Sequence, residues 1–186
     1  MQSRKISTPI HCLLSLVLLL GASLAKASEL DIAQRQWLAG QRSQAVTTVE
    51  KALAVTPNEL KLRFALGVMR MELGEQAAAI ELFTALTQDY PDIAEPYNNL
   101  AVIRAARGEL DQAQKDLEQA LRLQPTHAQA QENLGDVLLR LAARAFQRAQ
   151  QAQTAPSVAL KQKLKRTQDL LSLPQGPSSG DGQTPQ

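Results

Sequence analysis

The amino-acid sequence predicts an all-α solenoid, in which short helices stack in antiparallel pairs, because residue types recur at a fixed interval. The interval is 34 residues, and no insertion interrupts it over three successive units. One glycine and one proline of each unit keep it: Gly40, Gly74, Gly108 and Pro57, Pro91, Pro125. Three apolar columns keep it too: Ala33, Gly67, Ala101; Ala45, Ala79, Ala113; and Val49, Phe83, Leu117.

The glycines and prolines divide each unit into two helices. Each glycine lies where the first helix must stop and the chain must reverse, a position that favours positive φ. Each proline ends the second helix, because it lacks an N–H and disfavours the α-region for the preceding residue. Three residue pairs have the spacing of a capping box, the third more loosely, and would begin the next helix: Asp92 and Glu95, Thr126 and Gln129, and Ser28 and Asp31.

The apolar columns predict how the two helices of a unit pack. Small residues, such as Gly67 and Ala79 in the second unit, let the helices approach closely. The larger residue of the same unit, Phe83, then fills the groove that this approach leaves.

The clearest unit carries the repeat at these positions: Tyr97, Asn98, Asn99, Leu100, Ala101, Gly108, Ala113, Leu117, Ala120 and Pro125. In this pattern the chain resembles the tetratricopeptide repeat (TPR) family over roughly residues 28–135. The resemblance implies a TPR-type right-handed α-solenoid of about three helix-turn-helix repeats plus a C-terminal capping helix pair. The repeats are expected at 28–59, 60–93 and 94–127. The first is degenerate and its first helix is expected to be frayed or partner-dependent, because Glu29 and Gln36 stand where the family usually has aromatic residues.

The repeat signature stops after Leu134, and residues 128–173 are expected to form the capping helices. Apolar residues continue there with the i, i+3, i+4 spacing of one long amphipathic helix: Leu134, Leu138, Leu141, Ala145 and Ala149. Residues 154–157 break this helix, and a last helix follows; such a pair can cover the open end of a solenoid. In residues 174–186 eight of thirteen residues are Pro, Gly or Ser, which predicts a disordered tail.

Residues 1–27 have the order of features of a secretory signal peptide. Two basic residues precede an apolar run, and Ala25-Lys26-Ala27 supplies a small-x-small cleavage pattern. Cleavage after Ala27 removes three of the 20 basic residues, leaves 18 acidic ones and gives a net charge near −1, without the basic footprint of a nucleic-acid-binding protein. It also removes Cys12, the one cysteine. We therefore expect a periplasmic protein without a stable membrane span; an uncleaved anchor is the alternative.

Residues that could support catalysis are scarce, so we expect no enzyme, no cofactor and no metal. His127 is the single histidine left after cleavage, and it is expected to be a solvated turn residue without an oriented partner. Asp111, Asp116 and Glu118 are expected to be solvated on a second helix. The glycines are explained by the repeat and form no phosphate-binding loop.

The resemblance implies a partner-binding concave face, formed by the first helix of each unit. Transferred residue by residue, the predicted site is Gln34, Trp37, Phe64, Val68, Met71, Asn98, Asn99, Val102, Glu132 and Asp136. Phe64, Val68 and Met71 share one stripe, and the alternative is that this stripe is ordinary core.

Some members of the family hold a partner's C-terminal carboxylate with Lys, Arg and Asn side chains. The corresponding places here carry Leu30, Gln34, Ala65, Glu95 and Asn99. Asn99 alone fits, which argues against such a clamp. A mixed apolar and amide surface for an extended or helical segment is the better expectation.

Two functions follow as hypotheses. The preferred one is a periplasmic adaptor or assembly factor that binds a protein or peptide, with no nucleic acid among its partners. The alternative is a structural spacer that forms a homodimer through Leu138 and Leu141 of the long helix. Arg140, Arg144 and Arg148 form a row on the same helix, which is expected to be a solvated face.

Overall fold

A computed structural model describes residues 28–173 of the 186-residue chain. Within that range the chain forms eight α-helices and no strand: α1 (Glu29–Leu38), α2 (Arg42–Val55), α3 (Leu60–Glu72), α4 (Gln76–Asp89), α5 (Ala94–Ala106), α6 (Leu110–Leu123), α7 (Ala128–Gln151) and α8 (Val158–Leu171). The predicted signal peptide and tail lie outside the described residues. In the described part, every helix is too short or too polar to cross a membrane.

The helices stack in two unequal layers. Each helix packs on the next along the chain, and α1, α3, α5 and α7 also contact one another in succession. Among the described helices, α2, α4 and α6 make no such contact with each other. The odd-numbered helices are therefore the more closely spaced layer, and the stack curves so that they form its concave face. The predicted all-α solenoid of helix pairs is confirmed.

The turn glycines have the backbone conformation that the sequence predicts. Gly40, Gly74 and Gly108 have φ of 76°, 77° and 77°. Behind the first of them, the N–H of Gln41 donates to the carbonyl of Gln36 at 2.9 Å, a bond that closes the helix end. The prolines act as expected too, since each second helix of a repeat ends two residues before its proline.

The small and large columns meet in the core of each pair. A Cβ on Gly67 would lie 2.9 Å from two ring carbons of Phe83, so only glycine permits this approach. In the neighbouring repeats alanine replaces the glycine, and the smaller Val49 and Leu117 replace the ring; both are fully buried. The pair of side chains, more than either residue alone, fills the space between the two helices.

The predicted capping boxes are wrong for α5 and α7 and right for the loosest of the three. Helix α5 begins after Ile93, which makes no side-chain capping bond. At α7 the cap is His127, whose Nδ1 accepts the N–H of Ala130 at 3.3 Å. His127 is thus half-buried and structural rather than a solvated turn residue. The true N-cap lies one residue beyond the predicted one in both cases.

Helix α1 is fully formed, contrary to the expected fraying. Ser28 and Asp31 exchange two capping hydrogen bonds of 3.0 and 3.1 Å at its start. Ala33 is completely buried in its middle. Gln36, at an expected aromatic position, accepts a 2.8 Å hydrogen bond from Thr48 of α2 and so links the two helices.

The long helix and the last helix lie where the sequence predicts them. Val137 and Ala143 are the buried residues of the middle of α7, and α8 packs on α7 through Leu164 and Thr167. Thr167 donates to the carbonyl of Leu164 at 2.8 Å, which satisfies its buried hydroxyl.

Several charged residues expected in solvent are paired instead. Asp116 forms an ion pair with Arg104 of α5, and both side chains are largely covered. Burial raises the pKa of the Asp116 carboxyl, and the hydrogen bond and charge of Arg104 oppose this rise. In the arginine row, Arg144 holds Asp111 at 2.8 Å, and Arg140 donates to the carbonyl of Ala105 at 3.4 Å. These arginines fasten α7 to the last repeat.

Candidate partner-binding face

The concave face divides into an apolar part on α3 and a polar part on α5 and α7. The predicted site residues are spread over all four odd-numbered helices: Gln34 and Trp37 on α1; Phe64, Val68 and Met71 on α3; Asn98, Asn99 and Val102 on α5; and Glu132 and Asp136 on α7. The side chains of the apolar part are held by core packing, and those of the polar part by hydrogen bonds between amides.

The α3 stripe serves the core and the surface together. Phe64, Val68 and Met71 are half-buried and pack against a core cluster that includes Phe83 and Leu100. The rings of Phe64 and Phe83 meet edge to face, with centroids 5.7 Å apart at 65°. This packing holds the exposed part of the stripe in a fixed position, as a preformed binding surface requires.

A chain of side-chain amides joins α5 to α7. Asn98 is 8% exposed, and its Oδ1 accepts a 2.9 Å hydrogen bond from Nδ2 of Asn133. Oδ1 of Asn133 in turn accepts from Nε2 of Gln129 at 3.2 Å. Asn99 points its Nδ2 at the carbonyl of Glu95, one turn back in its own helix, at 2.9 Å. The predicted site omitted Asn133, although it occupies the same repeat position as Asn99.

Trp37 is held at the end of α1 by two charged neighbours. Its Nε1 donates to Glu72 of α3 at 3.1 Å, and the guanidinium of Arg42 lies 4.9 Å from the ring centroid. The hydrogen bond to Glu72 links the first repeat to the second, and the contact with Arg42 holds the ring within the first repeat. Gln34, one turn earlier on α1, is exposed.

Three carboxylates of the polar part have no partner among the described side chains. They are Glu95 on α5 and Glu132 and Asp136 on α7, and we call them the concave acids. Within residues 28–173, no side chain forms a hydrogen bond or ion pair with any of them. Val102, half-buried on α5, completes this part and belongs to none of the three core clusters.

A separate cavity of about 620 Å³ lies at the rim of the first repeat. Leu30, Ala52, Val55 and Leu62 supply its apolar lining, and Lys61 is among its polar residues. It contains none of the predicted site residues. In the described part of the chain no group of His, Cys, Asp and Glu is arranged to hold a metal ion.

Comparison with known families gives two matches. Sequence models described as tetratricopeptide repeat match residues 30–92 and 94–127, which together make up just over half of the chain. No curated protein sequence matches this one.

Solved structures show the same fold. A crystal structure of MamA is 22% identical, covers 75% of this chain and 84% of its own, and superposes with a TM-score of 0.57. The first TPR domain of Spaghetti (RPAP3), bound to the HSP90 peptide SRMEEVD, is 20% identical, with 61% and 90% covered and a TM-score of 0.58. The second TPR domain of human RPAP3, in complex with the HSP70 peptide SGPTIEEVD, is 19% identical, with 59% and 92% covered and a TM-score of 0.54.

Proposed function

Because this chain belongs to the tetratricopeptide repeat family, we propose that it is a non-catalytic adaptor that holds a segment of a partner protein on its concave face. The family and the peptide complexes of its structural neighbours support a protein–protein interaction module. The further steps, that the partner lies on α1, α3, α5 and α7 and that the protein acts in the periplasm, are ours.

The observation that carries the proposal is the two-part concave face. Half-buried apolar side chains on α3 are positioned by core packing, and amides and carboxylates follow on α5 and α7. Apolar anchors beside a few fixed polar groups are the usual composition of a peptide-binding groove. A surface of this kind can bind and orient a segment.

Site-specific photocrosslinking tests the location. A benzoylphenylalanine residue in place of Gln34 or Val102 puts the reactive group on the concave face, and one in place of the exposed Gln112 puts it on outer helix α6. We expect the two concave positions to form a crosslink to the same protein in living cells and Gln112 to form none. Crosslinking from Gln112 alone would contradict the placement.

The proposed periplasmic location is tested by asking whether the predicted signal peptide is cleaved. The signal-peptide prediction requires that protein purified from cells begins at Ser28, which N-terminal sequencing measures directly. It also requires release of the protein by osmotic shock. A first residue of Met1 with retention in the membrane fraction would favour the uncleaved anchor.

A homodimeric spacer is the second candidate, and the exposure of Leu138 favours it. This side chain is 45% exposed on α7, whereas Leu134 and Leu141 of the same stripe pack against the core. Light scattering of wild-type protein and of Leu138→Asp decides between a dimer and a monomer. Leu141→Asp is a poor test, because it would damage the fold as well.

A further inference from the structure

We propose that the partner segment is basic and amphipathic, with apolar side chains that lie on the α3 stripe and a lysine or arginine that lies between α5 and α7. This inference rests on the proposed function and specifies the partner. Three features of the concave face lead to it, and they concern apolar contact, position and charge.

The apolar side chains of the partner segment are inferred from the apolar surface of α3. Phe64, Val68 and Met71 are each partly exposed although each packs against the core, so the surface that they offer is continuous and fixed. Covering such a surface favours binding in proportion to the apolar area removed from water. A purely polar segment would leave it exposed.

The position of the basic residue follows from the amide chain. The 2.9 Å bond between Asn98 and Asn133 joins α5 and α7 at one point. Glu95 lies one helical turn before Asn98, Glu132 is next to Asn133, and Asp136 lies one turn beyond it. One turn is about 5.4 Å along the axis, so Glu95 and Asp136 flank this bond on opposite sides, Glu132 lies beside it, and a cation placed at the bond is attracted by the charges of all three.

The charge of the partner follows from the pairing of the other side chains. Arg104 forms an ion pair with Asp116, and Arg144 forms one with Asp111. Arg140, the nearest base on α7, donates to the carbonyl of Ala105 and forms no ion pair with Asp136. The three concave acids therefore have uncompensated charge, and a partner's cation would gain attraction without displacing a salt bridge.

The acidic peptides bound to the RPAP3 domains have the opposite character. Their sequences end in EEVD, and they would place carboxylates against carboxylates on this face. Like charges brought together at an interface cost affinity. The concave face of this chain thus selects against acidic segments and for basic ones.

Selection from a phage-displayed library of random peptides tests the inference, with the full-length protein as processed by its cell. We expect enrichment of peptides that carry Lys or Arg a few residues from apolar side chains. A synthetic fluorescent copy of an enriched peptide then serves as the probe for anisotropy measurements. Raising NaCl from about 0.05 M to about 0.5 M should weaken its binding, because salt screens charge pairs of this kind.

Matched double variants test whether the concave acids contribute to binding of the probe. Glu132→Gln/Asp136→Asn removes two concave charges, and Glu81→Gln/Asp92→Asn removes two exposed charges, from α4 and the α4–α5 turn, that have no described partner either. We expect the concave double variant to bind the probe about three- to tenfold more weakly and the control variant to bind it unchanged.

The possible failures are distinguishable. Enriched peptides without basic residues, whose binding Val102→Glu abolishes, would overturn this inference and leave the proposed function intact. Peptides that bind Val102→Glu as tightly as wild type would overturn the placement on the concave face. Dimers of the protein that the concave double variant dissociates would show that a second copy occupies the face, and would overturn the inference as well.

Discussion

The second repeat (α3 and α4) and the third (α5 and α6) share a backbone plan but fill it with different chemistry. The second has Gly67 against Phe83 inside and an apolar stripe on its concave side. The third has Ala101 with Leu117 inside, together with the covered ion pair of Arg104 and Asp116. The two facing residues of a repeat can therefore exchange volume with each other, while the residues on its surface vary independently.

The largest effects on stability should come from removing the large side chain from the interior of each repeat. Phe83→Ala is expected to lower the free energy of unfolding by about 4 kcal/mol, and Leu117→Ala by about 3 kcal/mol, because the larger ring leaves the larger cavity. Phe83→Ala should also loosen α3, since Phe64 loses its edge-to-face partner. Denaturant titration gives the free energies of unfolding, and amide hydrogen exchange shows which helix opens. Equal protection of α3 in both variants would show that Phe83 does not hold α3 in place.

Replacing Gly67 tests whether it and Phe83 share one space between the two helices. Gly67→Ala is expected to destabilise by about 1–2 kcal/mol, because its Cβ would meet the buried ring of Phe83. In a Phe83→Leu background, which imitates the third repeat, the same change should instead stabilise by about 1 kcal/mol through helix propensity. A double-mutant cycle measures both signs. Destabilisation of equal size in the two backgrounds would show that the ring is not the obstacle.

The amide link between the third repeat and α7 should have a smaller effect. Asn133→Ala removes the donor from Oδ1 of the buried Asn98 and is expected to cost about 1–2 kcal/mol. Asn99→Ala is the matched control, because Asn99 bonds only to its own helix and its loss should change stability by less than about 0.5 kcal/mol. Thermal and urea unfolding compare the two; the reverse order would contradict the importance of the link.

The smallest effect concerns pH and separates Asp116 from the exposed Asp31. Burial raises the pKa of Asp116 above 3.8 in the folded state, so its contribution to stability is full below pH 3.8 and is lost as pH rises through the folded pKa. Hydrogen bonds with Ser28 lower the pKa of Asp31, so its contribution is present above pH 3.8 and is lost as pH falls through the folded pKa. The Tm of Asp116→Asn relative to wild type should therefore rise from about pH 3 to about pH 6, and that of Asp31→Asn should fall. Carboxyl titration by NMR checks the two pKa values.

Features that depend on nearby backbone could be predicted from the sequence, and those that depend on contacts between units could not. Gly74 and Pro91 act within one turn of chain, and both lie as predicted. The caps at Ile93 and His127 were missed by one residue, because two adjacent positions could begin each helix and packing selects between them. The bond from Asn133 to Asn98 needs the spacing of α5 and α7, which no local pattern contains.

For the candidate site, the sequence could place residues on the correct helices but could not give their partners. The α3 residues look like either core or surface in the sequence, and in the structure Phe64 is both. Burial of Asp116 was missed for a related reason, since an acid on an outer helix is covered only when a long arginine such as Arg104 reaches it.

The absence of contact among the described outer helices α2, α4 and α6 gives the molecule one soft direction of motion. Bending the stack changes the contacts between repeats, which are those of α2 with α3, α4 with α5 and α6 with α7 as well as those among the odd-numbered helices, and leaves the interior of each hairpin unchanged. A bound segment of different thickness can thus be accommodated by a change in the curvature of the stack while every hairpin stays folded.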